Sequence, residues 1–299
     1  MSHDNHTTDN SFKELTPWQN PKSLLKLVEH WKDPFPSPVV SKEKLSDGRQ
    51  IFVVRDDYMP FGTKARAGSA IMSCDKYSCY DTIVYVQPRA GWAGLSLAET
   101  CRLAGKRLIL FCPASKDASE HQRAAKAAGA ELRFVKIAAM PVLQKYARDF
   151  AVKRNYLFFP LGLAVPEAVA GIAKVAMDLK IKPKQVWYAM STGVLSRGLQ
   201  LAWPKAEHIG VAVARNIQPG ERGNARIISH PMAFLQDAKV LPPFPSARNY
   251  DAKVYEYMER EAVNGALMWN VAGEVSPKPP AQNFNSQREW GDLSDLERK

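Results

Sequence analysis

Short apolar runs alternate with longer amphipathic stretches between residues 81 and 215, and this alternation limits the fold more than any other feature. The runs 81–87, 107–113 and 131–138 have the length and the β-branched or aromatic content of strands, while 94–104 and 118–128 have helical spacing. Strands joined by helices pair in parallel through right-handed crossovers, which predicts an α/β fold. Helices are expected over 140–153, 165–179 and 194–203, and strands over 185–190 and 208–215, so the same architecture resumes after Pro160. No internal repeat or low-complexity linker separates the two parts, and any second domain must share a cleft with the first.

A chain of 299 residues with 45% hydrophobic and 24% charged residues can bury a substantial core. No apolar stretch is long enough for a membrane span, and the N-terminus lacks the apolar run of a secretory signal, which predicts a cytoplasmic address and no membrane partner. Residues 1–20 are polar and 275–299 are rich in Pro, Asn, Gln and charge; a flexible N-terminal segment and a C-terminal tail are expected. Cys74, Cys79, Cys101 and Cys112 have neither disulfide-framework nor zinc spacing, so reduced thiols and no metal are expected. The net charge of +11 admits a polyanionic partner such as DNA, although the basic residues are scattered and no DNA-reading motif occurs.

Open parallel sheets bind ligands beyond the carboxyl ends of their strands. Two strand-to-helix turns are rich in small residues: QPRAGWAG, 87–94, and MSTGVLSRG, 190–198. Backbone N–H groups and the helix dipole at such turns suit an anion, notably phosphate, but any tight turn of this kind also needs small residues.

The run VRDDYMPFGTKARAG, residues 54–68, resembles the cofactor-lysine region of the fold type II, tryptophan-synthase-β-like pyridoxal-phosphate enzymes, nearest the aminocyclopropane-carboxylate deaminase and D-cysteine desulfhydrase branch. There an acid-containing segment precedes Phe-Gly-Gly-Asn-Lys-x-Arg; here Phe61, Gly62, Thr63, Lys64, Ala65 and Arg66 stand one residue shorter. PASKDASEHQRAAKAAGAE, 113–131, and YLFFPLGLAVPEAVAGIAKVAMDLK, 156–180, resemble later family segments in the same order, as does the helix text from Asp251 to Leu267. The resemblance covers about residues 50–275 and implies two open parallel-sheet lobes with helices on both faces and a cofactor cleft between them. The smaller lobe, about 82–160, is inserted within a catalytic unit of 21–274. It implies pyridoxal 5'-phosphate held by Lys64 as a Schiff base, with Ser191, Thr192, Gly193 and Ser196 cradling the phosphate and Trp92 beside the cofactor. Arg66, Arg89, Gly91 and Trp92 are the expected substrate contacts, and the family's habit is a homodimer. For the ring nitrogen of the cofactor, Asn270, Glu274 and Ser276 are on offer and none is singled out.

One departure bears on mechanism. Where the family carries a Ser-Asn-His type loop that grips the substrate carboxylate, this chain has Gly91, Trp92 and Ala93. A carboxylate left without a polar clamp in an apolar pocket is poised to leave as carbon dioxide, which makes decarboxylation the first expectation and elimination or deamination of a small amino acid the second. A large anionic substrate, such as an amino acid attached to thymine in bacteriophage DNA, would suit both the lost clamp and the basic charge, with Arg89, Arg197, Arg222 and Arg226 on phosphates. In that case the address is the host cytoplasm. A non-catalytic binding protein on the same fold is the alternative from another class. A phosphoribosyltransferase ranks third, because VWYAM before the 191–199 loop lacks the paired acids that such a loop needs.

Overall fold

The structure is a computed structural model that describes residues 21–137 and 139–275. The expectations for residues 1–20, for the tail beyond 275 and for Ser276 lie outside the described residues. In chain order, α1 (Pro21–Lys26) precedes the hairpin β1 (Val40–Lys44) and β2 (Gln50–Arg55), then α2 (Thr63–Met72). There follow β3 (Thr82–Val86), α3 (Ala93–Leu103), β4 (Arg107–Pro113), α4 (Glu120–Ala127), β5 (Glu131–Val135), α5 (Met140–Lys153) and β6 (Leu157–Phe158). The rest is α6 (Pro166–Asp178), β7 (Gln185–Met190), α7 (Val194–Ala202), β8 (Glu207–Ala212), α8 (Pro219–Arg222), β9 (Arg226–Ser229), α9 (Ala252–Glu261) and β10 (Ala266–Asn270).

These strands make two sheets. One has six strands in the order β1-β2-β10-β7-β8-β9, parallel except for β1; the other has four parallel strands in the order β5-β4-β3-β6. The expected α/β class, with helices on both faces of parallel strands, is what the chain adopts. Side-chain alternation explains the layering. On β3, Ile83 and Tyr85 join the core formed with Leu97, Ala98 and Cys101 of α3, while Val84 and Val86 meet Leu143, Ala147 and Phe150 of α5. On β7, Val186, Tyr188 and Met190 share a core with residues of α6 and α7; Trp187 and Ala189 face Val254, Tyr255 and Met258 of α9. Strands apolar on both faces belong at the centre of a covered parallel sheet. The edge strand β1 instead carries Lys42 and Lys44, which discourage further pairing.

No helix among the described residues is long and apolar enough to cross a membrane, and no His/Cys/Asp/Glu group among them could hold a metal ion. All four cysteines are free thiols.

Candidate functional site

The carboxyl ends of both sheets face one cavity of about 500 Å³. Lys64 enters it from the start of α2. Gly62 has φ 65°, and a Cβ there would stand 2.9 Å from the Val271 carbonyl, so only glycine makes this turn without displacing β10's continuation. The Thr63 amide donates to that same carbonyl at 2.9 Å. α2 therefore begins one residue before Lys64, whose side chain lines the cavity. The Lys64 amine donates to the Gly162 carbonyl at 3.1 Å. Burial pushes its pKa down to about 8, with the charge of Asp251 working in the opposite direction.

Behind Lys64, polar side chains lock the helix start. The Thr63 hydroxyl donates to Asp56 Oδ2 at 2.7 Å and accepts from the Trp269 indole at 2.9 Å. Arg66, 1% exposed, donates to Asp56, to Asp33 and to the Pro36 carbonyl. Its guanidinium is thus committed inside the protein and lies off the cavity wall, where the sequence suggested a substrate contact.

The 190–193 turn forms the opposite end of the cavity. Ser191 and Thr192 line it, and Gly193, at φ 71°, caps α7. A Cβ on Gly193 would meet the Glu221 carbonyl oxygen at 2.7 Å, so the turn is packed tightly against α8. The N-terminus of α7 directs unpaired N–H groups and a positive dipole end at this place. Ser196 is not part of the lining: its hydroxyl bonds the Tyr188 hydroxyl at 3.0 Å and accepts from Gln200 at 2.9 Å inside the core. Arg197 is also buried, donating to the Gly220 carbonyl, and cannot reach an external polyanion. Arg222 and Arg226 are turned to the Ala225 carbonyl and to Glu261.

The third wall is the 87–93 turn. The Gln87 amide donates to the Pro88 and Gly91 carbonyls at 2.9 and 3.0 Å and accepts from the Gly94 amide at 2.9 Å, so one side chain braces the loop from within. Gly91 and Trp92 line the cavity as expected; Arg89 is exposed and bonds the Asp117 carbonyl instead. No polar side chain of residues 88–92 is directed into the cavity. Trp92 reaches toward the Gly62 turn on one side, and its ring meets His121 edge-on at 5.4 Å on the other.

Several lining residues had no sequence signal. The Tyr85 hydroxyl accepts from the Gly162 amide at 3.0 Å, and burial pushes its pKa up to about 12, so it stays protonated. Tyr250 lines the cavity half-buried, and Asp251 follows it with no exposed surface. Asp251 Oδ2 accepts from the Ala272 amide at 3.3 Å, Oδ1 has no hydrogen-bond partner among the described residues, and burial holds the carboxyl well above the usual range. Of the residues offered for a ring nitrogen, Asn270 is spent on Asp57, Pro245 and Ser246, and Glu274 is exposed and bonds the Arg248 amide. The only hint in the sequence was that Asp251 opens the run resembling the family's late helix.

Comparison with known proteins agrees with this layout. The family model described as pyridoxal-phosphate dependent enzyme matches residues 31–270. Among solved structures, an ACC deaminase homologue superposes with a TM-score of 0.69 at 15% identity, covering 84% of this chain and 95% of its own. Escherichia coli diaminopropionate ammonia lyase in apo form gives 0.62 at 15% identity, covering 88% and 90%, and maize serine racemase gives 0.65 at 11%, covering 85% and 93%. At such identities the likeness establishes the fold. No curated protein sequence matches this chain.

Proposed function

Because the chain belongs to the pyridoxal-phosphate dependent enzyme family and its cofactor is pyridoxal 5'-phosphate, we propose that it is a lyase acting at the α-carbon of an amino acid or amino-acid adduct, with Lys64 holding the cofactor. The observation that carries this reading is a desolvated lysine amine opening onto the cavity that also receives the N-terminal end of α7.

The residues present fit the group. Lys64 offers an amine for its aldehyde carbon; Ser191, Thr192 and the amides at the start of α7 offer donors for its phosphate. The unpartnered oxygen of Asp251, a buried carboxyl flanked by the cavity residues Tyr250 and Val271, suits its ring nitrogen. When bound, pyridoxal phosphate supplies the electron sink for the bond broken at the α-carbon. Lys64, with a pKa near neutrality, can take a proton from that carbon or return one to it. The 88–92 loop gives the α-carboxylate neither a hydroxyl nor a charged side chain, and desolvation against Ala90 and Trp92 favours its departure as carbon dioxide. Ammonia release is the second reading, supported by the likeness in fold to an ACC deaminase homologue and an ammonia lyase.

The test is borohydride reduction of the cofactor-loaded protein followed by peptide mapping, with carbon dioxide and ammonia measured for each amino acid turned over. An adduct on Lys64 with carbon dioxide as product supports the full reading. An adduct on another lysine, or none, sinks it, and ammonia without carbon dioxide moves the chemistry to the second reading.

A further inference from the structure

His121 is a titratable side chain of the cavity that the chemistry above leaves without a task. It is the second residue of α4, whose start is fixed by a reciprocal cap: Ser119 accepts from the Gln122 amide while the Gln122 side chain accepts from the Ser119 amide. The same Gln122 donates to the Gln87 carbonyl at 3.4 Å, and Arg89 bonds the Asp117 carbonyl, so the α4 entrance and the 87–93 loop are held together. The imidazole is set edge-on to Trp92 and opens into the cavity. Neither ring nitrogen has a hydrogen-bond partner among the described residues, although a neutral imidazole carries one donor and one acceptor. Burial pushes its pKa down to about 4, so it is neutral at any ordinary working pH.

The other side chains that the four-stranded lobe turns into the cavity are uncharged too, notably Gln144, Met140 and Trp92. Of the three charged side chains in the lining, Lys64 is assigned to the cofactor, and Arg215 is paired with Glu221 at 3.0 Å. A second carboxylate on the substrate would therefore lose its hydration against a neutral wall with no free cation to replace it, whereas an amide, hydroxyl or heterocyclic group would find a donor and an acceptor waiting.

We propose that His121 is a specificity-determining residue that hydrogen-bonds an uncharged polar group carried by the substrate beyond its α-carbon, so that the substrates are amino acids or adducts with a neutral hydrogen-bonding side chain and not acidic ones. This rests on the cavity being the substrate site, as argued above.

Two isosteric pairs test it: asparagine against aspartate and glutamine against glutamate, each titrated as both enantiomers into the cofactor-loaded protein, with equilibrium binding followed by difference absorbance and by calorimetry. The expected result is that the amide of at least one pair binds about tenfold or more tightly than its acid, the range of one well-made hydrogen bond. His121→Phe, which keeps a ring against Trp92, should reduce that preference to within about twofold, and His121→Asn should restore part of it. Equal binding within both pairs, no binding by any of the four, tighter binding of the acids, or a preference untouched by His121→Phe overturns the proposal. In each of these cases a Lys64 adduct obtained on the same protein leaves the cofactor assignment standing, so the two failures are distinguishable.

Discussion

Burial shifts two ionisable residues at the site toward their neutral forms, and this has consequences for the protein without its cofactor. Lys64 has a folded pKa of about 8 against an ordinary 10.5. Between those values the unfolded chain binds more protons than the folded one, so stability rises with pH across the window and is reduced at all pH below it. Lys64→Met, close in shape and uncharged, should therefore stabilise the cofactor-free protein at pH 7 by about 1–2 kcal/mol and flatten the rise between pH 8 and 10.5, as read by urea unfolding. Asp251 obeys the opposite sign. Its folded pKa lies above the ordinary carboxylate value, so the folded state binds the extra proton and stability falls as pH rises through that range. Asp251→Asn should remove that fall, raise cofactor-free stability at pH 7 and weaken cofactor binding. A variant that binds the cofactor as well as the parent would remove Asp251 from the ring-nitrogen role. Gains in stability that cost function are what a site built on desolvated groups predicts.

At the scale of elements, the start of α2 depends on a buried ion network reaching from the segment before β1 to β10. Arg66→Met would strand the Asp56 carboxylate, itself without exposed surface, at a cost of about 3–5 kcal/mol, whereas Arg66→Met with Asp56→Asn should recover most of the loss because the carboxylate then left without its partner is the partly exposed Asp33. Comparing the two variants by thermal unfolding checks whether the network serves stability, and their Lys64 adduct yields check whether it also positions the lysine. Elements were legible in the sequence where one face differed from the other. β4, α5 and β7 fall on the residues expected, and β3, α3, α4, α6 and α7 lie within one or two residues of expectation. β8 and β5 end three residues early. α2 was read only as a cofactor-lysine turn because TKARAGSAIM is rich in small residues; its face is made for close approach, and Gly68 and Ala70 pack onto Thr100 and Gly171 with little room for a Cβ. The edge strand β1 and the short β6 and β9 carry too few apolar residues to announce themselves, whereas β2 carries the apolar run Ile51-Phe52-Val53-Val54. Within the site, Lys64, Trp92 and the 191–193 turn could be found because each sits in a local motif. Tyr85, His121 and the adjacent pair Tyr250 and Asp251 come from three separate parts of the chain, β3, α4 and the start of α9, and converge only through the topology. Arg66 and Ser196 were drawn into the site by proximity in sequence, but helical geometry turns both side chains into the core.

For the whole molecule, the decisive fact is that one cavity is closed by two sheets, so a ligand touching both must stabilise the pair together. Ligand that binds only the folded state adds RT ln(1 + [L]/Kd), about 2.7 kcal/mol at a hundredfold excess over Kd, which for a chain of this size is a rise of a few degrees in Tm. Pyridoxal 5'-phosphate should produce that rise. Pyridoxal, which can meet Lys64 but has nothing to offer the α7 N-terminus, should produce much less at the same concentration, because the phosphate contributes through several charge-assisted hydrogen bonds. Gly193→Ala probes the same end from the protein side: at φ 71°, with the Glu221 carbonyl 2.7 Å from the new methyl, the turn must distort. The variant should lose most of the advantage of pyridoxal phosphate over pyridoxal while keeping the response to pyridoxal. A glycine substitution that lowers both responses equally would instead mean that α8 has been displaced and the whole cavity opened. Loss of the phosphate increment alone would tie cofactor recognition to the six-stranded sheet, leaving the four-stranded lobe, with Trp92 and His121, free to select the substrate.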